Sequence, residues 1–323
     1  MLDALYAAAA RRRREWYAAR PDLRRRLRRP VLSIGNIAVG GRGKTPLAAL
    51  VARLLLEMGE RPAILSRGYN RSDPQDGVVV VRDAGGLRAD LGRSGDEPMM
   101  LARQLPGAIV ITAPDRYLGG RLAEHHLGAT VHLLDDGFQH FQLDRDADLV
   151  LVAREDLSGR TVPSGRLREP ADVLIAADAL VALDPIDLPV VPDAVFRATR
   201  QVGEPRFEPG GPASRLFVVS GIADPASFAA AVRAGDRTVV GERAFGDHHP
   251  YSARDVARIV ADARAAGAEA VVTTEKDYVR LLPHRPFPLP VGYLPLTMEV
   301  EPRDDFRMWL RTSLATARDQ ILA

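Results

Sequence analysis

The sequence predicts an α/β fold in which a mostly parallel sheet is sandwiched by helices and a second, smaller α/β domain follows. Short apolar segments rich in Val, Ile and Leu alternate with amphipathic helical segments along most of the chain, which is the pattern of parallel sheets. The alternation stops at residues 185–212, where six prolines fall close together, and resumes beyond them. A chain of 323 residues is long enough to form two hydrophobic cores.

Composition indicates an ordinary globular protein. Hydrophobic residues make up 46% and charged residues 27% of the chain, and no apolar run approaches the length that crosses a bilayer. The sequence contains no cysteine, which excludes disulfides and thiolate chemistry. The short apolar stretch at residues 5–10 precedes its arginines, the reverse of the order in a signal peptide. We therefore expect a cytoplasmic location.

The first predicted element, residues 1–29, is a basic amphipathic arm formed by one helix or a helix pair. The formal net charge of the chain is only +2, yet residues 1–30 contain ten arginines and three acidic residues. Aromatic residues such as Trp16 and Tyr17 beside arginines suit an anionic membrane surface. Nucleic acid is an alternative partner for such an arm, and a solvated helix packed on the core is a third interpretation.

The next stretch, residues 31–58, predicts a strand, a loop and a helix in succession. Apolar residues at 31–34 end in a loop with glycines at positions 40, 41 and 43, and leucines at helical spacing follow. Backbone N–H groups of such a loop and of the helix N-terminus converge on an anion. Lys44 would then reach the outer phosphates of a nucleotide, and the Thr45 hydroxyl would face Mg²⁺. The sequence thus predicts a P-loop NTPase-like domain over residues 30–204.

This loop departs from the standard Walker A pattern. Ala38 stands where that pattern has glycine, so the loop opens differently or tolerates a Cβ there, and the glycines could also serve the turn alone. Lys44 and Lys276 are the only lysines among 44 basic residues, which favours a specific need for an ammonium group. For Lys276, a nucleotide contact and a structural ion pair both remain open.

The rest of the first domain alternates strands and helices. We predict strands at residues 63–66, 78–81, 108–112, 130–134 and 149–152, with helices at 99–105 and 116–127. The strand at 130–134 leads into Asp135 and Asp136, the Walker B arrangement, because ligands bind at the carboxyl ends of parallel strands. A linker at about 185–212 follows and contains an extended segment near 195–202.

The C-terminal α/β domain is predicted over residues 213–323. Its strands are expected at 216–220, 238–240, 270–273 and 291–296, and its helices at 252–266 and from residues 225 and 304 onward.

Four loops in the two domains follow predicted strands or hairpins and can meet at one edge: residues 40–45, 96–97, 135–136 and 247–249. Together they contain a phosphate cradle, carboxylates for a metal ion, and a base for an acceptor hydroxyl, which phosphoryl transfer to an alcohol requires. Asp96 and Glu97 could instead serve only to cap the next helix.

Seven motifs occur in order over nearly the whole chain: SIGNIAVGGRGKTP, LSRGY, SGDEP, LLDDGFQH, GRLREP, FGDHH and TEKD. This ordered set closely resembles the tetraacyldisaccharide 4′-kinase, or lipid A 4′-kinase, family. The resemblance implies a kinase that uses ATP and Mg²⁺ to phosphorylate the 4′-hydroxyl of a tetraacylated glucosamine disaccharide 1-phosphate, giving lipid IVA. It also implies a peripheral enzyme at the cytoplasmic face of the inner membrane.

The resemblance further implies roles for individual residues. Asp96 of the GDEP motif would act on the acceptor hydroxyl with help from His248, although His249 follows directly and either ring could face the site. ATP would lie on the loop residues Gly40, Gly41, Arg42, Gly43, Lys44 and Thr45. Metal contacts would come from Thr45, Asp135, Asp136 and Glu169, and phosphate or sugar contacts from Tyr69, Arg116 and Arg168. Arg42 departs from the family, which more often has a small hydroxyl residue there.

We therefore expect a monomeric two-domain kinase with its active site in the cleft between the domains and with no nucleic-acid partner. The alternatives are another P-loop small-molecule kinase or ligase, or a nucleotide-switch or nucleic-acid-binding NTPase. In the last case the arm would grip the phosphates of a polymer, and binding would depend steeply on salt.

Overall fold

The computed structural model describes residues 2–41, 43–68, 71, 77–183, 185–186, 192, 194–208, 210, 213–235 and 237–322. The chain forms two compact units, residues 1–199 together with 298–323 and residues 200–297. Its strands are β1 (Val31–Asn36), β2 (Pro62–Ser66), β3 (Val79–Asp83), β4 (Gly86–Leu87), β5 (Ile109–Thr112), β6 (Val131–Asp135), β7 (Ala147–Val152), β8 (Ala179–Ala182), β9 (Ala194–Val202), β10 (Arg206–Phe207), β11 (Arg215–Ser220), β12 (Thr238–Ala244), β13 (Ala270–Thr274), β14 (Val291–Leu294) and β15 (Leu296–Glu301).

The helices are α1 (Leu2–Ala18), α2 (Lys44–Glu57), α3 (Leu91–Ser94), α4 (Asp96–Gln104), α5 (Arg116–Leu122), α6 (Arg154–Leu157), α7 (Pro225–Arg233), α8 (Ala253–Ala265), α9 (Glu275–Leu281) and α10 (Arg303–Leu322). Short 3₁₀ turns lie at Pro21–Leu23, Ala171–Ala176 and Leu282–His284, and a π turn at Ala123–Leu127 extends α5. None of the helices in the described part of the chain combines the length and the apolar character that crossing a bilayer requires.

The first unit is built on one sheet with the strand order β15-β9-β8-β7-β1-β6-β2-β5-β3-β4. Strand β1 lies between β6 and β7, parallel to both, and β3 runs antiparallel to β5. Every residue of β1 and β7 is buried, as continuous apolar strands are when helices cover both faces of a sheet. The predicted α/β class with a mostly parallel sheet is confirmed.

Helix α2 covers this sheet next to β1 and begins directly after the glycine-rich loop. Its buried residues recur at helical spacing, and the helix ends before Gly59, which has a φ of 83°. The loop therefore joins a buried strand to a buried helix, and both of its ends are fixed by packing.

The second unit contains a sheet with the order β10-β14-β13-β11-β12, in which only β10 pairs antiparallel among the described strands. Alternate residues of β11 face opposite sides of this sheet. Val218 packs in one cluster with Phe228 of α7, whereas Val219 packs in another with Ile259 of α8. The period of two along β11 thus explains the helix layers on both faces.

The C-terminal segment differs from the prediction of a single domain over residues 213–323, because residues 298–323 belong to the first unit. The predicted strand at 291–296 is divided at Pro295, which has no N–H to donate, into β14 and β15. Strand β15 then extends the first sheet beside β9, and Phe306 of α10 lies against Phe196 of β9 with ring centroids 4.9 Å apart. Helical periodicity shows that α10 buries one face, but it does not show which sheet receives that face.

Candidate active site

The glycine-rich loop is held at the N-terminus of α2 by the backbone of residues 166–168. The N–H of Val39 donates to the carbonyl of Arg166 at 2.7 Å, and the N–H of Arg168 donates to the carbonyl of Ile37 at 2.6 Å. Gly43 immediately precedes α2 with a φ of 102°, a conformation that favours glycine. Arg42, predicted to contact ATP, lies outside the described residues.

Lys44, the first residue of α2, is part of a charged cluster at the carboxyl end of β1. Its Nζ lies 3.0 Å from Asn36 Oδ1 and 3.5 Å from Asp136 Oδ1. Arg168 donates both Nη groups to the two oxygens of Asp136, at 2.9 and 2.8 Å, and Nη2 also reaches Asn36 Oδ1 at 2.6 Å. Two cationic donors on one amide oxygen fix the orientation of Asn36. The structure therefore brings together Lys44, Asp136 and Arg168, as predicted for the site.

The two aspartates that end β6 differ in their electrostatic surroundings. Burial raises the pKa of Asp135, and the neighbouring Glu97 and Asp136 add to the rise, while Lys44 opposes it. Burial would raise the pKa of Asp136 as well, but the hydrogen bond from Arg168 and the charge of Lys44 hold it below its ordinary value. The pKa values of the two adjacent aspartates are therefore shifted in opposite directions, upward for Asp135 and downward for Asp136.

A tight turn positions these aspartates. Asp136 has a φ of 63°, in the left-handed region that a non-glycine residue enters at a cost. The turn packs against β1 at Gly35, where an added Cβ would lie 2.5 Å from Phe138 Cβ, so only glycine fits there. Gly35 of the SIGN motif thus allows the turn at residues 135–138 to pack directly against β1.

Arg116 lies in the same electrostatic environment. It is buried at the start of α5, where Asp115 caps the helix, and its Nη1 donates to the carbonyl of Pro114 at 3.0 Å. Burial and the charge of Arg67 lower the pKa of Arg116 to about 10, while Asp136 and Asp135 oppose that change. The guanidinium stays charged at neutral pH and is available to a phosphate group.

Asp96 lies in the first turn of α4 and is buried, with 8% of its surface exposed. The N-cap of α4 is Gly95, with a φ of 84°, so Asp96 does not serve as the cap itself. The helix dipole favours a carboxylate in this position.

In the second unit, His248 is held by Arg280 of α9 and by the backbone of Gly221. The ring Nδ1 of His248 lies 3.1 Å from Arg280 Nη2, and its backbone N–H donates to the carbonyl of Gly221 at 3.1 Å. Arg280 in turn donates from Nη1 to Gly221 O at 3.0 Å and to Asp277 Oδ1 at 2.9 Å. His248, like Asp136, has a positive φ, of 59°.

His249 has a different environment from His248. Its ring stacks on Phe245 with centroids 4.5 Å apart, and its Nε2 lies 3.2 Å from Asp255 Oδ2. Asp255 also completes the capping box of α8 with Ser252. The His249 ring is thus packed between Phe245 and α8, whereas the His248 ring is held by Arg280, and both side chains are 28% exposed.

Glu169, predicted as a metal contact, has both of its oxygens bonded within the first unit. Arg14 of α1 donates to Oε1 at 2.9 Å and to Oε2 at 2.7 Å, and Gln139 Nε2 donates to Oε2 at 3.0 Å. Gln139 Nε2 also donates to the backbone carbonyl of Asn36 at 3.0 Å. Glu169 therefore takes part in hydrogen bonds that connect α1 with β1 through Gln139.

Of the donors predicted for Mg²⁺, Asp135 and Asp136 lie together at the end of β6, whereas Glu169 is bonded to Arg14 and Gln139. Within the described ranges, no group of three or more carboxylate or imidazole side chains is arranged around one cation position. Mg²⁺ in kinases uses one or two carboxylates together with substrate phosphates. Asp135 suits this kind of coordination, because it is a buried carboxylate that lies beside Asp136 and Glu97.

Sequence reasoning missed three side chains that shape these clusters: Asn36, Gln139 and Arg280. Asn36 gave a weak signal as a polar end to an apolar strand, and Gln139 lies inside a motif. Arg280 gave no signal beyond its place on the helix after TEKD. Tyr69, predicted as a substrate contact, lies outside the described residues.

Residues 1–315 match the model of the family described as tetraacyldisaccharide-1-P 4′-kinase. The tetraacyldisaccharide 4′-kinase of Geobacter metallireducens is 39% identical over 300 residues, which cover 88% of this chain and 88% of that protein. That of Koribacter versatilis is 38% identical over 300 residues, covering 89% and 90%. The crystal structure of LpxK from Aquifex aeolicus in complex with ATP is 28% identical and matches with a TM-score of 0.81, covering 97% of this chain and 100% of that one.

Proposed function

Since this chain belongs to the tetraacyldisaccharide-1-phosphate 4′-kinase family, we propose that the cluster around Lys44 is the ATP site of such an enzyme. The family membership makes the chain a kinase that uses ATP to phosphorylate the 4′-hydroxyl of tetraacyldisaccharide 1-phosphate in lipid A biosynthesis. This reaction needs a site for the phosphates of ATP, a divalent cation and a base for the acceptor hydroxyl.

The observation that carries the assignment of the ATP site is the position of Lys44. Its Nζ lies within 3.0 Å of Asn36 and 3.5 Å of Asp136, at the start of α2, where backbone N–H groups also favour an anion. Arg168 and Arg116 supply further positive charge. Thr45, Asp135 and Asp136 would hold Mg²⁺, which when bound neutralises charge on the transferred phosphoryl group.

We assign the acceptor chemistry to Asp96, with His248 in an assisting role. A carboxylate is a suitable general base for an alcohol whose proton leaves as the phosphoryl group arrives. Burial of Asp96 supports this role, because a desolvated carboxylate holds a fixed position and interacts strongly with a nearby proton. Arg280 orients the His248 ring, which supports His248 over His249.

The arm is proposed to bind the surface of an anionic membrane, and the faces of α1 support this. Residues of lower exposure recur at positions 3, 7, 10, 14 and 17, which is the face of α1 that packs on the first unit. Leu2, Leu5 and Trp16 fall on the other side and are 64%, 63% and 42% exposed, and Tyr6, which is 40% exposed, lies at the edge of the packed face. An exposed apolar stripe flanked by arginines suits a lipid surface better than a polymer of phosphates. We place the enzyme at the cytoplasmic face of the inner membrane, where ATP and an acylated substrate are both accessible.

The test is incubation of the purified full chain with ATP, Mg²⁺ and tetraacyldisaccharide 1-phosphate, with detection of the bisphosphorylated lipid. Asp96→Asn should lower turnover by at least about a hundredfold, the lower end of general-base contributions, while ATP affinity stays within about twofold. Asp304→Asn is the matched control, since it removes an exposed first-turn aspartate from α10. Absence of product from the wild-type chain, or near-normal turnover by Asp96→Asn, would refute the proposal.

A further inference from the structure

We propose that Arg14 is a positioning residue of the ATP site, so that helix α1 is part of the catalytic machinery as well as a membrane arm. The inference rests on the proposed ATP site and concerns a residue that does not touch the nucleotide. Arg14 lies on the face of α1 that packs on the first unit, and only 18% of its side chain is exposed.

Three contacts fix the Arg14 side chain. Its Nε and Nη2 form a bidentate pair with Glu169 at 2.9 and 2.7 Å. Its guanidinium carbon also lies 4.3 Å from the ring centroid of Phe138 and 4.9 Å from that of Phe141. Phe138 is in the turn that positions Asp136, so Arg14 supports this turn directly through a cation–π contact.

Hydrogen bonds connect Arg14 with Lys44 through Glu169, Gln139 and Asn36, and within Asn36 the connection passes from the backbone carbonyl to the side chain. Glu169 Oε2 accepts from Gln139 Nε2, and the same nitrogen donates to the backbone carbonyl of Asn36, both at 3.0 Å. The side-chain oxygen of Asn36 then accepts from Lys44 at 3.0 Å and from Arg168 at 2.6 Å. Each step joins groups that are part-buried, so solvent screens these contacts less than it screens surface pairs.

The charge of Arg14 is what this arrangement needs. The Glu169 side chain is 4% exposed, and a carboxylate so buried is stable only with a compensating cation. Gln139 is neutral and cannot compensate the charge of Glu169. Arg168, which directly precedes Glu169 in the chain, is already bonded to both oxygens of Asp136. Without Arg14, Glu169 would compete with Asp136 for Arg168 and would disturb the cluster that receives the phosphates.

A second arginine on the same helix provides a matched control. Arg11 pairs with Asp172 at 2.7 Å, just beyond the Glu169 segment, but the two side chains are 50% and 60% exposed. Such an exposed pair contributes little to stability. Arg11→Gln and Arg14→Gln remove the same formal charge from α1, and they differ in the burial of the ion pair and in the contacts that Arg14 makes with Glu169, Phe138 and Phe141.

The experiment compares ATP affinity by calorimetry, with Mg²⁺ and without lipid, for the full-length wild type and these variants. Arg14→Gln should weaken ATP binding by about tenfold, a typical coupling within a shared network, whereas Arg11→Gln should remain within about twofold. The double variant Arg14→Gln/Glu169→Gln, which removes the unpaired buried carboxylate, should recover most of the lost affinity.

Equal ATP affinities for Arg14→Gln and the wild type, or equal losses in Arg14→Gln and Arg11→Gln, would overturn the inference. If Arg14→Gln does not fold, Arg14→Lys and the double variant replace it: Arg14→Lys retains the charge without the fork and should show an intermediate loss. The proposed ATP site fails separately, if the wild type does not bind ATP or if Lys44→Ala binds it equally well.

Discussion

Arg280 Nη2 lies 3.1 Å from His248 Nδ1. A guanidinium group only donates hydrogen bonds, so the imidazole nitrogen that faces it must be the acceptor. The neutral ring is thereby held with its proton on Nε2. The buried Asp277 and the carbonyl of Gly221 fix Arg280 from the other side, so the tautomer is set by the fold of the second unit.

This geometry predicts that Arg280→Lys lowers turnover by about tenfold, because a single ammonium cannot reproduce the fork that contacts Asp277, Gly221 and His248 together. The KM for ATP should change by no more than about twofold, since Arg280 lies in a different unit from the Lys44 cluster. Nitrogen-15 NMR of the imidazoles gives an independent measurement, in which wild-type His248 should show protonation at Nε2. Arg254→Lys, at an exposed position on α8, is the control. A wild-type His248 protonated at Nδ1 would contradict the interpretation.

The ion pair between Arg168 and Asp136 yields a second prediction. Arg168→Lys keeps the charge but loses the bidentate contact with Asp136, so kcat/KM for ATP should fall by about tenfold. Steady-state kinetics with varied ATP provide the measurement. Arg160→Lys is a suitable comparison, because Arg160 lies nearby in the chain and its side chain is 75% exposed. Similar kinetics for the two variants would mean that the fork has no role in ATP use.

Local pattern placed some candidate site residues at the ends of particular elements. Lys44 was expected directly after the glycine-rich loop and Asp135 and Asp136 directly after a strand, and the structure has them at the start of α2 and at the end of β6. Arg14 and Glu169 are separated by 155 positions and come together only because α1 packs on the first unit. No local pattern contains that pairing. In the same way, the helix predicted from residue 304 onward was assigned to the C-terminal domain, whereas α10 belongs to the first unit.

The half-buried imidazole of His140, whose Nε2 is shielded from solvent, leads to a prediction about stability and pH. Burial lowers the pKa of His140 to about 4, and the charges of Arg116, Arg145 and Arg25 contribute, while Asp115 opposes them. In the unfolded chain a histidine has its ordinary pKa of about 6.5. Between these values the unfolded chain binds a proton that the folded protein does not, so the free energy of unfolding decreases as the pH falls from about 6.5 toward 4.

His140→Gln should therefore flatten the pH dependence of unfolding in this window. Between about pH 6.5 and 4, the free energy of unfolding should fall by at most about 3 kcal/mol more in the wild type than in the variant. This limit follows from the difference between the two pKa values of His140. Denaturant unfolding at pH 7, 6, 5 and 4.5 measures the difference. His126→Gln, at an exposed position, should follow the wild-type curve. Parallel curves for wild type and His140→Gln would show that His140 does not titrate differently on folding.

The exposed stripe on α1 gives the final prediction, and point variants test it better than removal of the arm, which would also remove Arg14. Leu5→Ser/Trp16→Ser should lower binding to phosphatidylglycerol vesicles by at least about tenfold, because each side chain would lose about 1.5–3 kcal/mol of apolar burial in the lipid surface. Ala8→Ser, an exposed and nearly isosteric change on the same helix, should bind as the wild type does. ATP affinity should be unchanged in both, since the substituted residues face away from the Arg14 link. A nucleic-acid-binding arm would show the opposite pattern, with unaltered vesicle binding and steeply salt-dependent binding to DNA that follows the arginines and not the apolar residues.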